Sequence, residues 1–316
     1  MTPDEPVFIL ALPRSFGSLV GAMLGQHPQL YGLPETHLFG CANVAEWCDM
    51  ASRESFNMAD GLVRAIAQIY FRKQDETAVV QARAWLRRRL DFTTGYLLET
   101  LAEAVNPRIL MEKSPSIVYS LASMQRAYSM FPLARFIHLA QHPRGYGETV
   151  MKGIHSAAEC GPVPEWMLSL ASFTAAPQIG ALDGTQEDLD PQRAWYALNS
   201  NICKFLEAVP DARRIRIRGE DLLRDPDRAL CLITDWMGLN SDSESIELMK
   251  HPEQSPYAFV GPRNALYGDD YDFLVNPSFT PVTGARQKLD GMLDWRSDGT
   301  GFSSEVKELA RQFGYK

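Results

Sequence analysis

The first strongly apolar segment, Val7-Phe8-Ile9-Leu10-Ala11-Leu12, is continuous rather than alternating. That is the pattern of a strand buried on both faces. The turn Pro13-Arg14-Ser15-Phe16-Gly17-Ser18 follows, and Leu19, Val20, Met23 and Leu24 then recur at helical spacing until Gly25 and Pro28 stop the helix. Arg108 to Met111, ending at Glu112-Lys113-Ser114-Pro115, predicts a second buried strand, and Ala134 to Ala140, broken by His142-Pro143, a third. A fourth, Arg214 to Ile217, precedes a turn at Glu220-Asp221. Helical spacing fills Ser116 to Met130, Gly145 to Met151, Pro191 to Val209, Asp225 to Met237 and a terminal stretch from Ser303. Residues 42–104 read as helices rich in Ala, Leu and Arg, and residues 155–190, with Gly, Pro and Ser, as a loop or lid. No internal repeat is present, and the chain is irregular from about residue 250 to Pro281. Strands alternating with helices predict an α/β fold with a parallel sheet and ligands at the carboxyl ends of its strands.

Composition narrows the function classes. The 316 residues are 45% hydrophobic and 22% charged, which excludes a disordered or collagen-like chain. Asp and Glu number 39 against 31 Lys and Arg, giving a net charge of −8. That balance argues against nucleic acid as the partner, while leaving room for a local basic pocket. Cys41, Cys48, Cys160, Cys203 and Cys231 form no C-x-x-C pair and have no histidines at zinc-ligand spacing. Free thiols in a reducing cytoplasm and no metal are the expectation. The N-terminal Met1-Thr2-Pro3-Asp4-Glu5-Pro6 is acidic where a signal peptide is basic, and Val7 to Leu12 is too short to span a bilayer.

The first turn is the best anion site. A buried strand delivers the chain to a helix N-terminus, where unpaired N–H groups and the helix dipole favour negative charge. Arg14, Ser15 and Ser18 add a cation and two hydroxyls within six residues. The Gly-x₄-Gly-Lys-Ser/Thr pattern of nucleoside triphosphatases is absent, which disfavours a phosphotransferase with a P-loop lysine. On the residues alone, phosphate binding and an ordinary turn capped by Ser15 or Ser18 both stand.

Five segments in order then resemble sulfotransferases. Pro13-Arg14-Ser15-Phe16-Gly17-Ser18-Leu19 resembles the family's 5′-phosphosulfate loop, and Ala134 to Thr149, with Gln141-His142-Pro143-Arg144, its 3′-phosphate segment. Pro34-Glu35-Thr36-His37-Leu38, Glu112-Lys113-Ser114-Pro115 and Glu220 to Pro226 are similar to three further segments. Gly261-Pro262-Arg263-Asn264-Ala265 through Asp272-Phe273-Leu274 resembles bacterial members of natural-product and polyketide pathways. The resemblance implies a P-loop-like three-layer α/β fold, one domain over residues 1–316, with a helical insertion near 42–104 and a lid near 155–190. It implies 3′-phosphoadenosine-5′-phosphosulfate (PAPS) as donor, its 3′,5′-bisphosphate (PAP) as product, and a hydroxyl acceptor on a small molecule or a carrier protein. By the same resemblance Arg14, Ser15, Phe16, Gly17 and Ser18 hold the phosphosulfate, Glu35 or His37 is the base, and Lys113 neutralises the transferring group.

Two departures bear on the donor. Phe16 stands where the family has glycine, with Gly17 next to it as a substitute for left-handed backbone. Gln141 stands where an arginine grips the 3′-phosphate, while Thr149 keeps the hydroxyl eight residues on. Arg144, Arg263 and Arg286 are the candidates to replace that charge. A non-catalytic relative with a degenerate donor site is the alternative to an enzyme. The Arg83, Arg87, Arg88 and Arg89 cluster reads as a solvated helical face, or else as a docking face for an acidic carrier.

Overall fold

In a computed structural model the chain is described over residues 5–53, 58–160 and 190–316. It is built on a five-stranded parallel sheet in the order β2-β3-β1-β4-β5. The strands are β1 (Val7–Ala11), β2 (Leu30–Gly32), β3 (Ile109–Glu112), β4 (Arg135–Ala140) and β5 (Arg214–Arg218). β1 lies at the centre, with Val7 opposite both Met111 of β3 and Arg135 of β4. Its side chains alternate between two cores, as a period of two requires. Phe8 and Leu10 join the larger core, and Val7, Ile9 and Ala11 the smaller one. The expected α/β class with a central parallel sheet is therefore the observed one.

Helices cover both faces. α1 (Gly17–Gly25) packs on the smaller core with α10 (Pro226–Met237) and α11 (Ser243–Met249). The larger core receives α2 (Val44–Arg53), α3 (Met58–Phe71), α4 (Glu76–Arg87) and α5 (Thr94–Val105), all inserted between β2 and β3. It also receives α6 (Leu121–Met130), α7 (Pro143–Cys160) and α8 (Pro191–Leu206). α9 (Gly219–Arg224), α12 (Tyr271–Val275) and α13 (Ser304–Gln312) complete the set.

The differences from the sequence reading have local causes. β2 is an edge strand of three residues, too short to leave a periodic signal. The helix expected from Ser116 is a 3₁₀ turn, Pro115–Tyr119, followed by α6, because Ser120 starts a new helix by accepting from the Ser123 N–H. The expected turn at Glu220-Asp221 is helix α9. Residues 155–160 belong to α7, and the rest of the anticipated lid, 161–189, lies outside the described residues. Cys41, Cys48, Cys203 and Cys231 are free thiols. Among the described residues no helix is long and apolar enough to cross a membrane.

Candidate active site

Three adjacent strands, β3, β1 and β4, end side by side; Lys113 and Gln141 directly follow β3 and β4, and Arg14 lies three residues beyond β1. This is the crevice where the strand order reverses, the position at which parallel sheets bind ligands.

The turn after β1 is tightly wound. Arg14 (φ 66°) and Phe16 (φ 63°) are both left-handed, although neither is glycine. Each costs about 1–2 kcal/mol of local strain, held in place by the surrounding contacts. His37 (φ 53°) is a third such residue, and Arg72 completes the non-glycine set among the described residues. Phe16, not Gly17, adopts the left-handed geometry, so the expected one-residue shift does not occur. The Phe16 ring rests on Gly219, where any Cβ would collide with it. The Ser15 hydroxyl donates to the Leu12 carbonyl at 2.6 Å and braces the turn. No side chain caps α1, which leaves its first N–H groups facing the crevice.

Glu35 is placed by backbone contacts. Its N–H donates to the Gly268 carbonyl at 2.7 Å, and Gly61 of α3 lies directly against its carbonyl oxygen. A Cβ at Gly61 would drive into that oxygen, whereas one at Gly40 would meet nothing. Gly61→Ala is therefore expected to lower both melting temperature and turnover, and Gly40→Ala to leave both unchanged. Equal behaviour of the two variants in a thermal melt would remove the packing argument.

The Glu35 carboxylate sits 3.5 Å from the Ser18 hydroxyl and 3.5 Å from His37 Nε2. His37 is fixed from behind: its N–H donates to Ser114 Oγ at 2.8 Å, and Nδ1 lies 3.1 Å from Ser116 Oγ. Lys113, buried at the end of β3, forms an ion pair with buried Asp269. Burial alone would raise Glu35, but the His37 hydrogen bond and the Lys113 charge outweigh it and hold the carboxyl below its ordinary value. Burial raises Asp269, against the pull of Lys113 and with repulsion from Glu35, to about 6. Lys113 is raised in spite of its burial, through Asp269 and Glu35.

A second acidic pair was not anticipated from the sequence. Arg14 donates from Nη1 to both Asp270 oxygens at 2.8 Å and from Nη2 to Asp272 at 2.7 Å. The Asp270 N–H also donates to Ser18 Oγ at 3.2 Å. The only hint was the acidic density of Asp269-Asp270-Tyr271-Asp272.

The residues that line the cavity on the β4 side, Gln141 and Thr149, are uncharged. Gln141 is buried, its Oε1 has no hydrogen-bond partner, and its carbonyl accepts from Trp195 Nε1 at 2.8 Å. The Thr149 hydroxyl donates to the Gly145 carbonyl at 2.9 Å. None of the three candidate arginines replaces the missing charge. Arg144 donates to the carbonyls of Lys288, Asp290 and Met292. Arg286 pairs with Asp221, and Arg263 is exposed and does not line the cavity.

Arg14, Ser15, Phe16, Gly17, Ser18, Glu35, Lys113, Gln141 and Thr149 together line one cavity of about 210 Å³, open to solvent. His37 stands beside it, behind Glu35. An uncapped helix N-terminus with two converging cations fits the phosphosulfate end of a nucleotide, whereas the neutral Gln141 corner does not fit a 3′-phosphate. Among the described residues no cluster of His, Cys, Asp or Glu is arranged to hold a metal ion.

A central parallel sheet with helices on both faces and a tight strand–helix turn after β1 makes a P-loop-like α/β fold. The sequence model of the Sulfotransferase family matches residues 6–243, and the chain belongs to that family. Among solved structures, the sulfotransferase domain from the Synechococcus PCC 7002 olefin synthase is 22% identical with a TM-score of 0.71, covering 100% of this chain and 96% of that one. The sulfotransferase domain from the curacin biosynthetic pathway is 20% identical with a TM-score of 0.70, covering 99% and 98%. No curated protein sequence matches the chain.

Proposed function

We propose that this sulfotransferase-family protein is a single catalytic domain, working in the cytoplasm, that moves a sulfuryl group from PAPS to a hydroxyl of a small natural product or carrier-bound acyl chain. The convergence of Arg14, Lys113 and Glu35 on one cavity carries this reading. The similar structures, from an olefin synthase and from the curacin biosynthetic pathway, support an acceptor made by a biosynthetic pathway.

When bound, PAPS supplies a sulfuryl group whose bond to the bridging phosphate oxygen breaks as the bond to the acceptor oxygen forms. Charge then grows on the phosphate side, where the N–H groups of α1 and the Arg14 guanidinium stabilise it. Arg14 exchanges Asp270 and Asp272 for that anion. Lys113 lowers the field of negative charge around the acceptor, and Glu35, kept ionised by His37 and Lys113, takes the acceptor's proton. His37, held by Ser114 and Ser116, orients Glu35.

Arg14→Ala is expected to weaken PAP at least about tenfold, the loss of one charge-assisted contact. Calorimetric titration of the variant, with circular dichroism to verify the fold, checks this. Unchanged affinity in a folded variant removes Arg14 from the donor site. Gln141 favours the second reading, a non-catalytic relative with a degenerate donor site. The same titration on the native chain separates the two, because a chain that binds no nucleotide up to millimolar is the binding module.

A further inference from the structure

Resting on the donor reading above, we propose that Gln141 adapts this site to a nucleoside 5′-phosphosulfate with a free 3′-hydroxyl, so that adenosine 5′-phosphosulfate is bound at least as well as PAPS. The cavity has two chemically distinct ends. One, at β1 and β3, is the charged end, with both lining cations, Arg14 and Lys113, among the carboxylates of Glu35, Asp270 and Asp272. The other, at β4, offers Gln141 and Thr149. β4 adjoins β1, and Gln141 and Thr149 line the same cavity as the β1 turn, so a sugar attached to a phosphate held at that turn has this corner within the same cavity.

That corner lacks a hydrogen-bond donor partner. The Gln141 side chain belongs to a residue only 5% exposed, and its Oε1 is buried without a partner. The Thr149 proton is committed to the Gly145 carbonyl, which leaves its oxygen as an acceptor. Two acceptors suit a sugar hydroxyl, which has a proton to give. A phosphate dianion has none, and with the carboxamide turned over it would still meet no positive charge.

Nor does a cation reach the corner from elsewhere in the described residues. Arg144 is spent on three carbonyls, and Arg286 and Arg218 both pair with Asp221. His142 is kept neutral, pushed down to about 4 by burial and by Arg144. Residues 54–57 and 161–189 contain no Lys, Arg or His at all. Glu148, hydrogen-bonded to Gln287 beside Gly145, adds negative charge instead.

The test is calorimetric titration of the full chain with adenosine 5′-monophosphate and with PAP, the products of the two donors. The native chain is expected to bind the monophosphate within about threefold of PAP or tighter, and Gln141→Arg to tighten PAP about tenfold or more while leaving the monophosphate within about threefold. A native chain that prefers PAP more than about threefold overturns the inference and leaves the donor reading standing. So does a folded Gln141→Arg variant with equal effects on both ligands. Binding of neither nucleotide up to millimolar removes the donor reading, and the inference falls with it.

Discussion

Glu35→Gln is expected to lower turnover by about 10²–10⁴, the span of a lost general base, with donor affinity changed by less than about threefold. The substitution preserves size and one acceptor oxygen, so the Ser18 and His37 contacts keep an anchor. A base acts only as the acceptor oxygen attacks, so its loss falls on the chemical step rather than on donor binding. His37→Gln is expected to cost less, because its ring faces Glu35 and Ser116 and does not line the cavity. The pH dependence separates the two roles further. Glu35 lies below the ordinary carboxylate range, so the protonation that disables it sets in only below that range. Single-turnover rates for both variants decide the matter. If His37→Gln abolishes turnover and Glu35→Gln stays active, the imidazole is the base.

The features legible in the sequence were those written in consecutive residues. Val7 to Ala11 announces a strand buried on both faces, and the turn after it stands out as a candidate anion site, because neither depends on distant partners. β2 left no mark, since three edge residues with one glycine have neither period nor length. Its consequence is large, because β2 delivers Glu35 to the crevice. Glu35 was therefore reached through resemblance and not through pattern. Asp270 was out of reach for another reason: it lies 256 positions from Arg14, in a stretch that the sequence shows only as an irregular loop. Gln141 was read as an anomaly from its neighbours in sequence, but only the structure places its carboxamide, without a partner, at the cavity. Arg263 carried the right charge in a segment of the right resemblance, yet the fold leaves it exposed outside the cavity.

Lys113→Met should produce the largest loss of stability. Lys113 is a buried cation, ion-paired with buried Asp269 and facing Glu35. Removing one member of such a cluster leaves its partners charged and uncompensated, which costs about 3–5 kcal/mol. For a chain of this size that corresponds to a fall in Tm on the order of 10 °C. Adding Asp269→Asn should restore part of the loss, because the stranded charge goes with it. The pH dependence carries the sign of the interaction. Asp269 in the native chain is raised to about 6, so between its unfolded value of about 4 and that point the folded state holds the proton more firmly. Stability contributed by Asp269 therefore falls as pH rises through this window. Glu35 acts oppositely: its lowered value contributes stability that is present above the unfolded value and lost as pH falls through the folded one. Without Lys113 both carboxyls move up, so the window in which stability falls with rising pH extends higher. Urea melts at pH 5 and pH 7.5 should thus show a smaller gap between native chain and Lys113→Met at the lower pH. A gap that is equal at both pH values would mean that Lys113 acts through packing rather than through its charge.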